Sequence, residues 1–113
     1  MKNTSRRKTD LLRGTLDLLI LRVLDLQPLH GIAIADRIRQ VTHDTFDVQA
    51  GSLFPALHRL EQDGQTVGSW TTNLEGRRVK SYALTSAGRK KLKTETRQWE
   101  RIVTAVTQVL EMH

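Results

Sequence analysis

The sequence contains no cysteine. That excludes a disulfide framework, a thiolate zinc site and a thiol nucleophile, and it suits a reducing cytoplasm, where the chain is expected to act. Aromatic residues are scarce, at 4% of the chain, while Leu, Ile and Val are plentiful. Such a balance favours a core of aliphatic side chains packed between helices. No apolar run reaches the ~18 residues of a membrane span, and the opening Met1-Lys2-Asn3-Thr4-Ser5-Arg6-Arg7-Lys8 has no signal-peptide pattern. A phosphate-binding glycine loop and a nucleophile elbow are both missing, and His30, His43, His58 and His113 share no ligand spacing. His43, Asp44 and Asp47 could be drawn as a metal site, but three polar residues in a connecting segment read more simply as a loop. An enzyme, a cofactor and a resident metal are therefore not expected.

Positive charge is present and unevenly spread. The 113-residue chain carries a net charge of +6. Residues 1–13 contribute +4, residues 14–76 contribute −4, residues 77–97 contribute +7 and residues 98–113 contribute −1. Two basic blocks flanking an acidic middle suggest a polyanionic partner. A membrane surface is a poor fit, although Arg89-Lys90-Lys91 and Lys93 are clustered. The helix that carries them has a narrow apolar seam and lacks a broad lipid-facing stripe.

The length suits one domain with an appended helix. Residues 1–10 read as a basic flexible tail, residues 11–85 as the domain and residues 86–113 as the helix. Leu12, Leu16, Leu19, Val23 and Leu26 recur at helical spacing, and Leu11, Leu18, Ile20, Leu21 and Leu24 make this first helix apolar nearly all round. One small domain rarely covers such a helix, which leaves surface for a second chain. Pro28 and Gly31 break it. Ile34, Ile38 and Val41 then mark a short second helix. A third helix is expected from Gly51-Ser52, with Ser52 as its cap and Pro55 tolerated in its first turn. Leu53, Ala56, Leu57 and Leu60 form its buried stripe, and it ends at Gly64. The opposite face carries Ser52, Pro55, His58 and Gln62, with Phe54 and Arg59 at its margins.

Residues 66–72 and 77–84 have strand character around the turn Asn73-Leu74-Glu75-Gly76, and the return strand is basic. Thr85 can cap a final helix running to about Leu110. In it, Leu92, Thr96, Trp99, Val103, Val106 and Leu110 fall on an a/d heptad seam. At 1.5 Å per residue this helix would be ~36 Å long and would outreach the domain before it. An identical chain is the economical cover for its seam. The expected dimer interface comprises Leu16, Leu19 and Val23 of the first helix and Leu92, Trp99, Val103, Val106 and Leu110 of the last.

Three helices, a β-hairpin and a long helix, in that order, make a mainly α fold: a winged helix-turn-helix with a C-terminal dimerisation helix. The third helix can enter a major groove ~12 Å wide. Arg77, Arg78 and Lys80 on the hairpin suit phosphates or a narrow minor groove. The expected contacts with double-stranded DNA are Ser52, Pro55, His58, Arg59, Gln62, Arg77, Arg78 and Lys80. Individually these are ordinary surface residues; their ordered combination carries the reading. The alternative is a winged helix used only to bind other proteins, a use in which the wing is usually not basic.

Four segments resemble the PadR family of bacterial transcriptional regulators: Leu12-Arg13-Gly14-Thr15-Leu16, His30-Gly31-Ile32-Ala33-Ile34, Gly51-Ser52-Leu53-Phe54-Pro55-Ala56-Leu57-His58-Arg59-Leu60-Glu61 and Tyr82-Ala83-Leu84-Thr85-Ser86-Ala87-Gly88. The resemblance extends over about residues 11–110 and implies a homodimer, usually a repressor, joined through its first and last helices. The single C-terminal helix is similar to that of the family's smaller size class. Phe54 stands where the family usually has Tyr and so lacks a hydroxyl for phosphate. Gln65-Thr66 replaces two residues that are commonly apolar, and Ser81 replaces a frequent aromatic. Family members can sense small aromatic compounds, some at the dimer interface, and Trp99 resembles a stacking residue of such a pocket. Its plainer role is that of a packed interface tryptophan.

Overall fold

In a computed structural model of the protein, the backbone is described for residues 2–113 and the side chains for residues 14–113. Helix α1 spans Lys2–Leu26, and a two-residue strand β1, Leu29–His30, follows the break at Pro28. Next come α2 (Gly31–Val41) and α3 (Ala50–Gln62), then β2 (Thr66–Thr72) and β3 (Arg78–Leu84), and finally α4 (Ser86–Leu110). The expected flexible tail at 1–10 falls on residues outside those described with side chains. Among the described residues, no helix is long and apolar enough to cross a membrane.

The fold is mainly α with a small antiparallel sheet, as the element pattern implies. The sheet has one more strand than the sequence suggests. Its order is β1-β3-β2, with Leu29 opposite Tyr82 and His30 opposite Ser81. Two residues are too few to show an alternating pattern, so β1 is visible only through its pairing. The hairpin register runs from Thr66 opposite Leu84 to Thr72 opposite Arg78.

Apolar periodicity becomes a single core. Ile20 and Leu21 of α1, Ile34 of α2, and Leu53 and Leu57 of α3 are its largest fully buried side chains. Leu16, Leu24, Ile38, Val48, Ala56, Leu60, Tyr82, Leu84 and Leu92 complete it. Removing such a side chain from a packed core costs about 2–5 kcal/mol.

Junctions between elements are closed by short-range polar contacts. His30 caps α2, its Nδ1 accepting from the Ala33 amide at 3.2 Å. Thr85 caps α4 by accepting from the Gly88 amide at 3.0 Å, and its hydroxyl donates to the Gly64 carbonyl at 2.7 Å. A Cβ on Gly88 would lie 2.1 Å from the Gln65 carbonyl oxygen, so only glycine lets α4 start this close to the turn after α3. The Leu-Thr-x-x-Gly segment is thus a packing device that fixes where the long helix leaves the domain.

The third helix corrects two expectations. It begins at Ala50, with Gln49 at the N-cap and no side-chain cap bond. Ser52 therefore lies inside the first turn, and its own amide already bonds the Gln49 carbonyl at 3.0 Å. Pro55 consequently sits about one turn further in than expected, where its ring removes the bond that would reach the Gly51 carbonyl. Apolar burial on the opposite stripe holds the helix together across that gap.

A candidate nucleic-acid interface

Helix α3 and the β2–β3 wing are joined by the Lys80–Glu61 contact, and the groove at the wing runs from its tip to the start of α2, with Phe54 of α3 in its lining. On α3, the buried stripe Leu53, Ala56, Leu57 and Leu60 turns Pro55, His58 and Gln62 outward, and all three are exposed. Ser52 is half-buried at the edge of that face. Phe54 is also at the margin, 42% exposed, with its ring against the backbone of Gly31.

The wing tip is held rigidly for so short a turn. Asn73 Oδ1 accepts from the amides of Glu75 (3.1 Å) and Arg77 (2.9 Å), and the Asn73 amide donates to the Arg77 carbonyl at 2.9 Å. Gly76 has φ +80, the left-handed conformation that this turn requires. Arg77 and Arg78 leave the turn exposed, and the Arg78 guanidinium lies 5.0 Å from the centroid of the Trp70 ring.

Two of the expected contact residues are engaged within the chain. Arg59 donates to Asp17 of α1 at 2.8 Å, which ties α3 to the first helix. Burial pushes the Asp17 carboxyl above its usual range, and the Arg59 charge and hydrogen bond oppose that shift. Lys80 donates to Glu61 of α3 at 2.8 Å, and its ammonium also sits 5.5 Å from the Tyr82 ring centroid. The bond from Lys80 holds Glu61 below the usual carboxylate range and raises Lys80 in return. The Lys80 stem lies across Gly68, where a Cβ would force it to shift. Glu61 and Trp70 were not singled out from the sequence. Glu61 occurs within an expected helix as an ordinary solvated charge, and Trp70 as one strand residue among several; only the fold reveals their partners.

The expected dimer residues divide into two sets. Leu16 and Leu92 are buried in their own chain's core, and Leu19 and Val23 pack against it half-buried, so Leu16 and Leu92 are not available to a partner. The periodicity that marks an interface also marks a core, and α4 changes role along its length. Beyond Thr96, whose hydroxyl bonds the Leu92 carbonyl at 2.7 Å, no residue of the helix is buried. Trp99, Ile102, Val103, Val106, Val109 and Leu110 then form an exposed apolar face at helical spacing. Between α1 and α4 lies a groove of about 320 Å³ lined by Gly14, Thr15, Leu18, Glu95, Gln98, Trp99 and Ile102.

A model of the "Transcriptional regulator PadR-like family" matches residues 20–94. The chain belongs to this family. It is also similar to solved structures. A PadR family transcriptional regulator from Eggerthella lenta DSM 2243 is 27% identical, with TM-score 0.83 over 99% of this chain and 96% of that one. A transcriptional regulator from Clostridium thermocellum is 26% identical, with TM-score 0.81 over 88% of this chain and 96% of that one. A PadR family transcription regulator from Clostridium difficile R20291 is 27% identical, with TM-score 0.73 over 83% of this chain and 96% of that one. This PadR-like protein is therefore a transcriptional regulator and not an enzyme, on the winged-helix fold of those structures.

Proposed function

We propose that this PadR-like protein binds a specific operator in double-stranded DNA as a homodimer and represses transcription from it. The observation that carries the reading is the outward face of α3, with Pro55, His58 and Gln62, standing beside a wing that exposes Arg77 and Arg78. A helix of that size presenting polar groups suits the major groove, and flanking cations suit phosphate. The apolar face of α4 from Trp99 to Leu110 supports pairing with an identical helix, since an exposed stripe of this extent is stable in water only when covered. Two such domains related by a two-fold axis would read an inverted repeat, with half-sites about one helical turn apart.

A small aromatic compound is the proposed effector. The α1–α4 groove has a volume in the range of small-molecule sites, and Trp99 offers it a stacking surface. Release from DNA would follow if the compound shifted α4 against α1.

Selection of bound duplexes from a random pool, with and without small aromatic compounds, tests the reading. An enriched palindromic sequence is the expected result. Weak binding at low salt with no enrichment would favour a module that binds proteins instead.

A further inference from the structure

The indole of Trp70 has no role in the core or in the reading above. It lies in the middle of β2, opposite Lys80, and keeps 59% of its surface exposed. Side chains alternate between the faces of a strand pair, so Trp70 shares a face with Gly68, Arg78, Lys80 and Tyr82. That face is turned toward α3, because the Lys80 ammonium on it reaches Glu61. The ring lines a groove of about 580 Å³ between the wing and the start of α2, where His30, Gly31 and Ile32 face Trp70, Arg78 and Tyr82 and α3 contributes Phe54. Arg78 lies over the ring at 5.0 Å, which orders both side chains in advance of any partner. Of the charged residues lining this groove, Arg77, Arg78 and Lys80 outnumber the single acid Glu75.

We infer that Trp70 is a DNA-contacting residue of the wing. The indole packs against the deoxyribose wall beside the minor groove, and Arg78, held on the ring, presents its charge to the adjacent phosphate, so the two act as a unit. A planar apolar surface next to fixed cations matches a nucleic-acid strand, where sugar and phosphate alternate. An acidic protein would match the charge but gain less from the ring. This inference rests on duplex DNA being the partner.

The chain has two tryptophans, so the emission of Trp70 is read as the difference between the wild type and Trp70→Phe. Both full-length proteins are titrated at low salt with a mixed-sequence duplex of about 30 base pairs, long enough for two half-sites and flanks. Trp70 emission should be quenched as the duplex binds. In the wild-type background, Trp70→Ala should weaken binding about ten-fold and Trp70→Phe distinctly less. Arg78→Ala should cost little once Trp70 is gone, because the pair acts together. A circular-dichroism melt matching the wild type verifies that Trp70→Ala leaves the wing folded, and Trp70→Phe supplies the comparison if it does not. Duplex binding with unchanged Trp70 emission, or equal affinity for Trp70→Ala, would overturn the inference while leaving DNA binding intact. Quenching by poly-glutamate as strong as by duplex would assign the groove to an acidic protein. Failure of the wild-type chain to bind any duplex would remove the DNA reading itself, and this inference with it.

Discussion

Lys80 donates to Glu61 at 2.8 Å, and this bond ties the wing to the third helix. We propose that Lys80 positions the wing more than it contacts phosphate. Glu61→Gln and Lys80→Ala should both reduce discrimination between operator and scrambled duplex, and they should be non-additive because they break one bond. The salt slope separates the two roles. A lost phosphate contact lowers it by about one unit, whereas a lost brace leaves it unchanged. The bond also carries a pH dependence. Glu61 is held below its usual range by Lys80, so its contribution to stability is complete above the unfolded value and is lost as pH falls through the folded one. Acid titration of thermal stability should show this loss in the wild type and not in Glu61→Gln.

Asp17 and Arg59 behave with the opposite sign. Burial raises the Asp17 carboxyl, so the charged form is disfavoured by folding, and Arg59 limits the penalty. For a raised carboxyl, the favourable contribution exists below the unfolded value and is lost as pH rises through the folded one. Arg59→Ala removes the opposing charge and should destabilise the fold at neutral pH by up to about 1 kcal/mol, since both side chains are partly solvated. The deficit should shrink on acidification, when Asp17 takes up a proton. Melting curves across the acid range check it; a deficit independent of pH would mean that Arg59 acts through its stem packing alone.

Thr66 places a hydroxyl in the core. The side chain is 3% exposed and its hydroxyl has no hydrogen-bond partner. A buried hydroxyl without a partner is unfavourable by about 1–3 kcal/mol. Thr66→Val keeps the shape and removes the polar atom, so it should stabilise the protein by about 1 kcal/mol. Denaturant unfolding measures this directly, and a loss of stability would mean that the hydroxyl has a partner in solution.

How much of this was readable from residues alone follows the range of each interaction. The stripe Leu53, Ala56, Leu57 and Leu60 is a local pattern and appears buried as expected. The turn at Asn73–Gly76 is likewise local, and Asn73 and Gly76 perform the roles that their chemistry suggests. The start of α3 was misplaced because Ser52 is a good cap type, yet Gln49 already supplies a carbonyl to two amides. Leu92 lies in the chain's own core although it falls on the heptad seam, and Leu16 although its helix is apolar nearly all round, because neither pattern distinguishes a neighbour in the same chain from one in another. Pairs such as Arg59 with Asp17, 42 positions apart, leave no periodic trace. Trp70 was missed for the same reason: its exposure is decided by the register of β2 on β3.

The exposed face of α4 gives a direct test of assembly. Val103 and Val106 lie on that face, 44% and 50% exposed, and neither belongs to the chain's own core. Replacing both by Glu would place charges in an apolar seam, at a cost of several kcal/mol per chain if they are left unpaired, on the order expected for buried charge. The monomer fold should survive, because the substitutions are remote from the core. Sedimentation is expected to show the dimer lost and circular dichroism to show the helices retained. An unchanged dimer would place the interface elsewhere.

The division of labour within the interface is the most specific expectation. His58 and Gln62 are exposed on the side of α3 opposite its buried stripe, and that side alone can reach base edges. Arg77 is exposed at the root of the wing turn, where backbone phosphate is the nearer target. His58→Ala and Gln62→Ala should therefore change which sequences are preferred, with about 1–3 kcal/mol of discrimination lost wherever a base contact is good. Arg77→Ala should weaken all sequences together and lower the salt slope by about one unit. A wing arginine set into a narrow minor groove would add a preference for A·T tracts, visible as a change confined to the flanks of the operator. Each variant is to be titrated with the selected operator and with scrambled duplex at several salt concentrations. Ser52, half-buried within the first turn, should contribute little to either quantity. If His58→Ala and Gln62→Ala leave the ratio of operator to scrambled affinity unchanged, α3 does not read the sequence, and specificity must come from the wing or from the shape of the DNA.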